Sequence, residues 1–137
     1  MREIKFRGYD GMDWIFGSAV QYDKHTNTWY MIENGSPDDD WIVVGEVGQY
    51  TGLKDKQGVE IYEGDVLKSH NQNNIVRYEH GSFMVIGLHK DKYERTYNHL
   101  KSYLVDLTIP DAEGSKYDGV TIRLEVVGNI HDNTELL

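Results

Sequence analysis

The sequence predicts a mainly β fold: one or two small SH3-like or partly open β-barrels, with an N-terminal β-meander and one short helix. Three observations predict it. Alanine occurs twice in 137 residues, against 14 glycines and 10 tyrosines, a balance that disfavours long helices and suits pleated, half-buried surfaces. Apolar and polar residues alternate over short runs, the period of a strand with one buried face. Tight-turn dipeptides separate these runs at the close spacing of a small barrel.

Ile4 and Phe6 alternate with Glu3, Lys5 and Arg7 and define a first strand. Asp10-Gly11 follows, a dipeptide that tolerates the positive φ of a two-residue hairpin. Trp14, Phe16, Ser18 and Val20 carry a second strand, residues 23–27 a polar turn, and Trp29-Tyr30-Met31-Ile32 a third. Residues 34–40 are rich in Gly, Pro and Asp and read as a loop. Ser36-Pro37-Asp38-Asp39 also has the N-cap, first-turn proline and carboxylates of a short helix start. The β-branched run Ile42-Val43-Val44 favours an immediate return to strand.

Residues 46–53 and 58–62 flank a four-residue polar tip, Lys54-Asp55-Lys56-Gln57, with Gly58 free to adopt a bulge conformation. Tyr62-Glu63-Gly64-Asp65 makes the next tight turn, into Val66-Leu67-Lys68. After a polar tip at 71–74, Ile75 to Tyr78 pairs with Ser82 to Ile86 across His80-Gly81. Tyr93, Tyr97, Leu100 and Leu104 then recur every three or four residues and predict a helix near 91–105, although Tyr103-Leu104-Val105 also fits a strand. A loop at 110–118 leads to a last strand at 120–130. The length suits a single domain over 1–137, with possible subdomains at 1–45, the meander, and 46–137, the barrel with its helical insert. There is no internal repeat at a fixed period.

Fourteen Lys and Arg against 23 Asp and Glu give a formal net charge of −9. Nucleic-acid binding draws its affinity largely from cations that neutralise phosphates, and neither end of the chain holds an excess of them. Direct nucleic-acid binding is therefore not expected, nor is attraction to anionic membranes. The acidity keeps a small protein soluble; the sharper alternative is an acidic nucleic-acid mimic or anti-defence factor. No long apolar run exists to span a membrane. Arg2, Glu3 and Lys5 do not read as a secretory leader. With no cysteine in the sequence, the cytoplasm is the expected address.

The search for chemistry yields no catalytic residue, metal ligand set or cofactor motif. None of His25, His70, His80, His89, His99 and His131 is spaced for a helical metal pair or a His-Glu-x-x-His site. His131-Asp132 and Asp38-Asp39-Asp40 lack the spacing of ligand sets, and surface or capping roles are expected of them. No serine sits in a Gly-x-Ser-x-Gly elbow, and no glycine-rich loop ends in Gly-Lys-Ser/Thr. An enzyme with an unmotifed carboxylate/His site stays open as an alternative. Trp14, Trp29 and Trp41, with the ten tyrosines, are read either as core and cross-strand pairs or as a contact surface, since Trp and Tyr are enriched at interface hot spots.

Three segments carry a family resemblance. They are Arg2-Glu3-Ile4-Lys5-Phe6-Arg7, then Val47-Gly48-Gln49-Tyr50-Thr51-Gly52-Leu53-Lys54-Asp55-Lys56 with Gly58 and Glu60-Ile61-Tyr62-Glu63-Gly64-Asp65-Val66, and finally Leu124-Glu125-Val126-Val127-Gly128-Asn129-Ile130 through Glu135-Leu136-Leu137. In this order they resemble the YopX family, small proteins of phages and prophages of Gram-positive bacteria. The opening departs where the family commonly has Ala-Trp and this chain has Gly8-Tyr9. The resemblance implies a mostly β phage protein acting inside the infected cell, and no catalytic residues, because the family has no established activity. Within the second segment, Gly52, Gly58 and Gly64 fall where turns need backbone freedom, and Asp65 is placed to accept turn amides. Residues Ile61 to Val66 are also similar to the turn-to-strand step of many SH3-like barrels. The expected function is a non-catalytic interaction module, self-associating into a homo-oligomer, whose other partner is an unidentified host or phage protein.

Overall fold

A computed structural model describes residues 3–69, 72–88, 96–101 and 124–137. The chain divides into two compact units, Met1–Tyr50 and Thr51–Leu137. In the first, β1 (Phe6–Tyr9) pairs antiparallel with β2 (Trp14–Gly17) and with the start of β6 (Val47–Lys54). A separate antiparallel sheet has the order β3 (Ala19–Asp23), β4 (Thr28–Ile32), β5 (Trp41–Val44).

Register explains which side chains this first unit buries. Val20, Met31 and Ile42 lie opposite one another, as do Tyr22, Trp29 and Val44. Because side chains alternate across a strand, all six share one face. That face joins Phe6, Ile15 and Val47 of the other sheet in a core centred on Ile15, Met31 and Val44. Gly8 serves this core by having no side chain, since a Cβ there would stand 2.8 Å from Val44 Cγ2 and 2.9 Å from Met31 Sδ.

Two local features differ from the alternation read in the sequence. The run from Trp14 to Val20 is not one strand: it breaks at Ser18, and its halves β2 and β3 enter different sheets. Contacts distant in sequence decide the break. The Asn34 N–H donates to the Phe16 carbonyl at 2.8 Å, and any Cβ on Gly17 would collide with the Ile32 carbonyl oxygen. The β1–β2 connection is likewise longer than a two-residue hairpin. Tyr9 pairs with Trp14 across a four-residue loop, closed by Asp10 Oδ1 accepting the N–H groups of Met12 at 2.8 Å and Asp13 at 2.7 Å.

In the second unit, β7 (Glu60–Tyr62) neighbours β6. The strands β8 (Asp65–Ser69), β9 (Gln72–Glu79), β10 (Ser82–Gly87), β11 (Tyr97–His99) and β12 (Glu125–Asn129) form a five-stranded antiparallel sheet of order β11-β10-β9-β8-β12. The hairpin across His80-Gly81 is as the sequence predicts, with both residues at positive φ, 53° and 77°. Ile61, Leu67, Val76, Val85, Leu100 and Leu124 form the core, with Leu53, Phe83 and Val126 packed against it. Fully burying an aliphatic side chain of this kind stabilises by about 1.5–3 kcal/mol. A 3-10 turn, Thr134–Leu136, closes the chain.

Two expectations are corrected here. Tyr97–His99, inside the segment read as a helix, is a strand: Met84, Val85 and Ile86 of β10 pair with His99, Asn98 and Tyr97. Hydrogen bonds offered by the edge of β10 override a local 3.6-residue periodicity, as tertiary pairing commonly does. Leu100 and Lys101 begin a 3-10 turn, and residues 91–95 and 102–105 of the expected helix lie outside the described residues. Among the described residues, no sheet closes on itself into a barrel. The tip at residues 54–57 is not simply polar and solvated, because Asp55 is fully buried. Its Oδ1 accepts the N–H groups of Gln57 and Val59, at 2.8 and 2.9 Å. The described part of the last strand begins at Glu125, and residues 120–123 also lie outside the description.

Candidate interaction face

The outer face of the β3–β4–β5 sheet follows from the same register. It carries Gln21, Tyr30 and Val43 in one cross-strand row and Ala19, Ile32 and Trp41 in the next. A sheet with one buried and one solvated face has polar residues outside. Here Trp41 is 47% exposed and Val43 57% exposed, with Tyr30 and Ile32 half-buried beside them. A shallow cavity of about 530 Å³ lies on this face, lined by Gln21, Tyr22, Asp23, Lys24, His25, Tyr30 and Trp41. Its polar end is the β3–β4 turn, where Asp23 Oδ1 accepts the His25 N–H at 2.9 Å and Asn27 adopts a φ of 56°. Among the described residues β3 and β5 each pair only with β4, so both edges of this sheet flank the face.

The three tryptophans do not come together. Trp29 is on the inner face, stacked on Tyr22 at a ring-centroid distance of 4.7 Å and packed against the first core. Trp14 is on the outer face of the β1–β2 hairpin, 5.3 Å from the Tyr9 ring and covered by the Arg7 guanidinium at 4.7 Å from its own ring. Such a cation over an indole is favourable by about 0.5–1 kcal/mol at an exposed site. Phe16, directly opposite Arg7, is 43% exposed on the same face. Trp41 alone stands on the open face of β3–β4–β5. Sequence reasoning missed Tyr30, Ile32 and Val43, although a signal was present: β4 and β5 are apolar at both parities, and such strands are covered on both faces in most proteins.

The glycine and aspartate positions singled out in the sequence belong to the second unit and serve its backbone. Gly52 is inside β6 rather than in a turn, with a φ of 85° that a side chain rarely adopts. Gly58 and Gly64 occupy the turns before and after β7, at φ 84° and 91°. Asp65 is buried, and its Oδ2 accepts the Tyr62 N–H at 2.8 Å across the second of these turns.

The reactive side chains are likewise engaged in local structure. Ser82 Oγ and His99 Nδ1 are 2.9 Å apart, but the pair is exposed and fastens β11 to β10. Asn129 Oδ1 accepts the N–H groups of His131 and Asp132, which makes that segment a turn. No group of three or more His, Asp or Glu side chains converges as a metal site among the described residues. Asp38, Asp39 and Asp40 are exposed. No helix among the described residues is long and apolar enough to cross a membrane.

The molecule so described is a mainly antiparallel β protein of two units, with an apolar face left open on the first. Residues 5–137 match the family model described as YopX protein, and the chain belongs to the YopX family. It is also similar to a solved structure, that of the protein EF1440 from Enterococcus faecalis. The two share 27% sequence identity over 100% of this chain and 99% of that one, with a TM-score of 0.41. No curated protein matches the chain.

Proposed function

We propose that this protein is a non-catalytic protein-interaction module that self-associates, encoded by phage or prophage and acting in the bacterial cytoplasm. One observation carries the reading: the outer face of β3–β4–β5 presents Trp41 and Val43 to solvent, over Tyr30 and Ile32, between two sheet edges. Exposed aromatic residues beside apolar neighbours are the usual anchors of protein interfaces. Unpaired strand edges readily add a strand from another chain. The phage origin is supported by the family resemblance, and the cytoplasmic address by a sequence without cysteine. An SH3-like, partly open barrel is the finer architecture we propose for the second unit, supported by its short strands and by the tight turn at residues 62–65. Light scattering across the micromolar range tests the function. The expected result is a dimer or closed ring for the wild type and a monomer of 15.8 kDa for Trp41→Asp. A wild-type monomer at all these concentrations overturns self-association.

A further inference from the structure

We infer that the cavity on the outer face of β3–β4–β5 seats a basic segment of a partner protein, one lysine or arginine side chain lying against Trp41. This rests on reading that face as a docking surface and adds the chemistry of what docks there. The cavity, of about 530 Å³, is within the size range of side-chain and ligand pockets. On this face Tyr30 and Trp41 supply its aromatic lining, and the indole ring is the strongest aromatic partner for a cation. The long aliphatic stem of Lys or Arg covers apolar surface while its charged head stays in water. The chain already makes this pairing once, with Arg7 over Trp14.

Charge decides between a basic partner and a second copy as the preferred occupant. Residues 1–50 hold nine acidic side chains against four basic ones. Asp38, Asp39 and Asp40 lead directly into Trp41, and Glu33 follows Ile32, the cross-strand neighbour of Trp41; all four carboxylates are exposed. Asp23 lines the cavity itself, beside Lys24 and His25. A second copy brings the same acidic rim, which weakens self-association through this face without abolishing its apolar contact, so a basic segment competes with the second copy for it. A basic segment meets opposite charge from the rim and an aromatic surface beneath it.

The test titrates the full chain with a short arginine- and lysine-containing peptide and with its glutamate counterpart. The readouts are the Trp41 indole N–H and the backbone amides of residues 21–25 by NMR, at low and high salt. The expected result is saturable shifts at these positions with the basic peptide only, weakened several-fold when salt screens the carboxylates. Trp41→Leu is expected to lower affinity about tenfold, the loss of one well-placed cation–π contact. Asp23→Asn, which keeps the oxygen that accepts the His25 N–H, is expected to lower it less. Absence of saturable shifts overturns the inference, as does equal affinity in Trp41→Leu, which reports only non-specific attraction to an acidic protein. Light scattering on the same samples separates the two readings. An oligomer that ignores the peptide sinks this inference and leaves the docking face; a monomer that ignores it sinks both.

Discussion

Asp55 and Val126 are joined across 71 positions of sequence: the Val126 N–H donates to Asp55 Oδ2 at 2.9 Å. The same carboxylate holds the turn between β6 and β7 through Gln57 and Val59, and the Lys56 N–H donates to the Leu124 carbonyl at 3.0 Å. A single buried acid thus closes a local turn and binds it to β12. Three amide donors share the two oxygens, which offsets the cost of removing a carboxylate from water.

Replacing Asp55 is expected to be among the most damaging changes to the second unit. Asp55→Ala leaves three backbone N–H groups without this acceptor, and each one left buried and unsatisfied costs about 1–3 kcal/mol. A total loss on the order of 3 kcal/mol or more is expected from urea denaturation. Asp55→Asn keeps one acceptor oxygen but turns an NH2 group toward either Val126 or the turn amides, so its loss is expected to be smaller. A change within 0.5 kcal/mol for Asp55→Ala, about what an ordinary surface substitution gives, contradicts this role.

Close packing in the first unit makes a second prediction. Gly8→Ala places a methyl group against Val44 and Met31, and overpacking of this kind costs about 1–3 kcal/mol. Gly17→Ala meets the Ile32 carbonyl, backbone that cannot swing aside, so its loss is expected to be the larger of the two. Met31→Ala, the opposite change, opens a cavity in the core and is expected to cost about 2–5 kcal/mol. Thermal melts of the three variants check the ranking of the glycines and the direction of all three.

Acid pH should act on the β1–β2 loop through Asp10. The Asp13 N–H, and after it the Met12 N–H, donate to its carboxylate and hold its pKa below the ordinary aspartate value. As pH falls, the unfolded chain takes up its proton first. The stabilisation is therefore complete above the unfolded pKa, near 4, and is lost as pH falls through the lower folded value. An NMR titration is expected to place the Asp10 midpoint below that of an unstructured peptide. Asp10→Ala is expected to cost stability at neutral pH and less once the carboxyl is protonated. A midpoint at or above the peptide value contradicts the loop geometry.

Much of this architecture is legible in the sequence because it is local. Period-two alternation places β1, short apolar runs place β4 and β10, and Asn27 and His80-Gly81 mark the turns that lead into β4 and β10. What the sequence hides is set by distant partners. Ser18 divides a continuous strand pattern because Phe16 and Ile32 are bound elsewhere, and Tyr97–His99 becomes a strand because β10 offers an edge. Asp55 sits among lysines and glycine like any loop acid, and nothing nearby announces the Val126 amide. The candidate face was half legible. Trp41 stands out by residue type, whereas Tyr30, Ile32 and Val43 gain meaning only once register places them on one side.

The most direct test of that face is a concentration series of amide and indole NMR spectra with residue assignments. The account predicts concentration-dependent shifts and broadening at Gln21, Tyr30, Trp41 and Val43, while Arg7, Trp14 and Phe16 stay constant. Spectra unchanged with concentration, or changes confined to the Trp14 face, would contradict it.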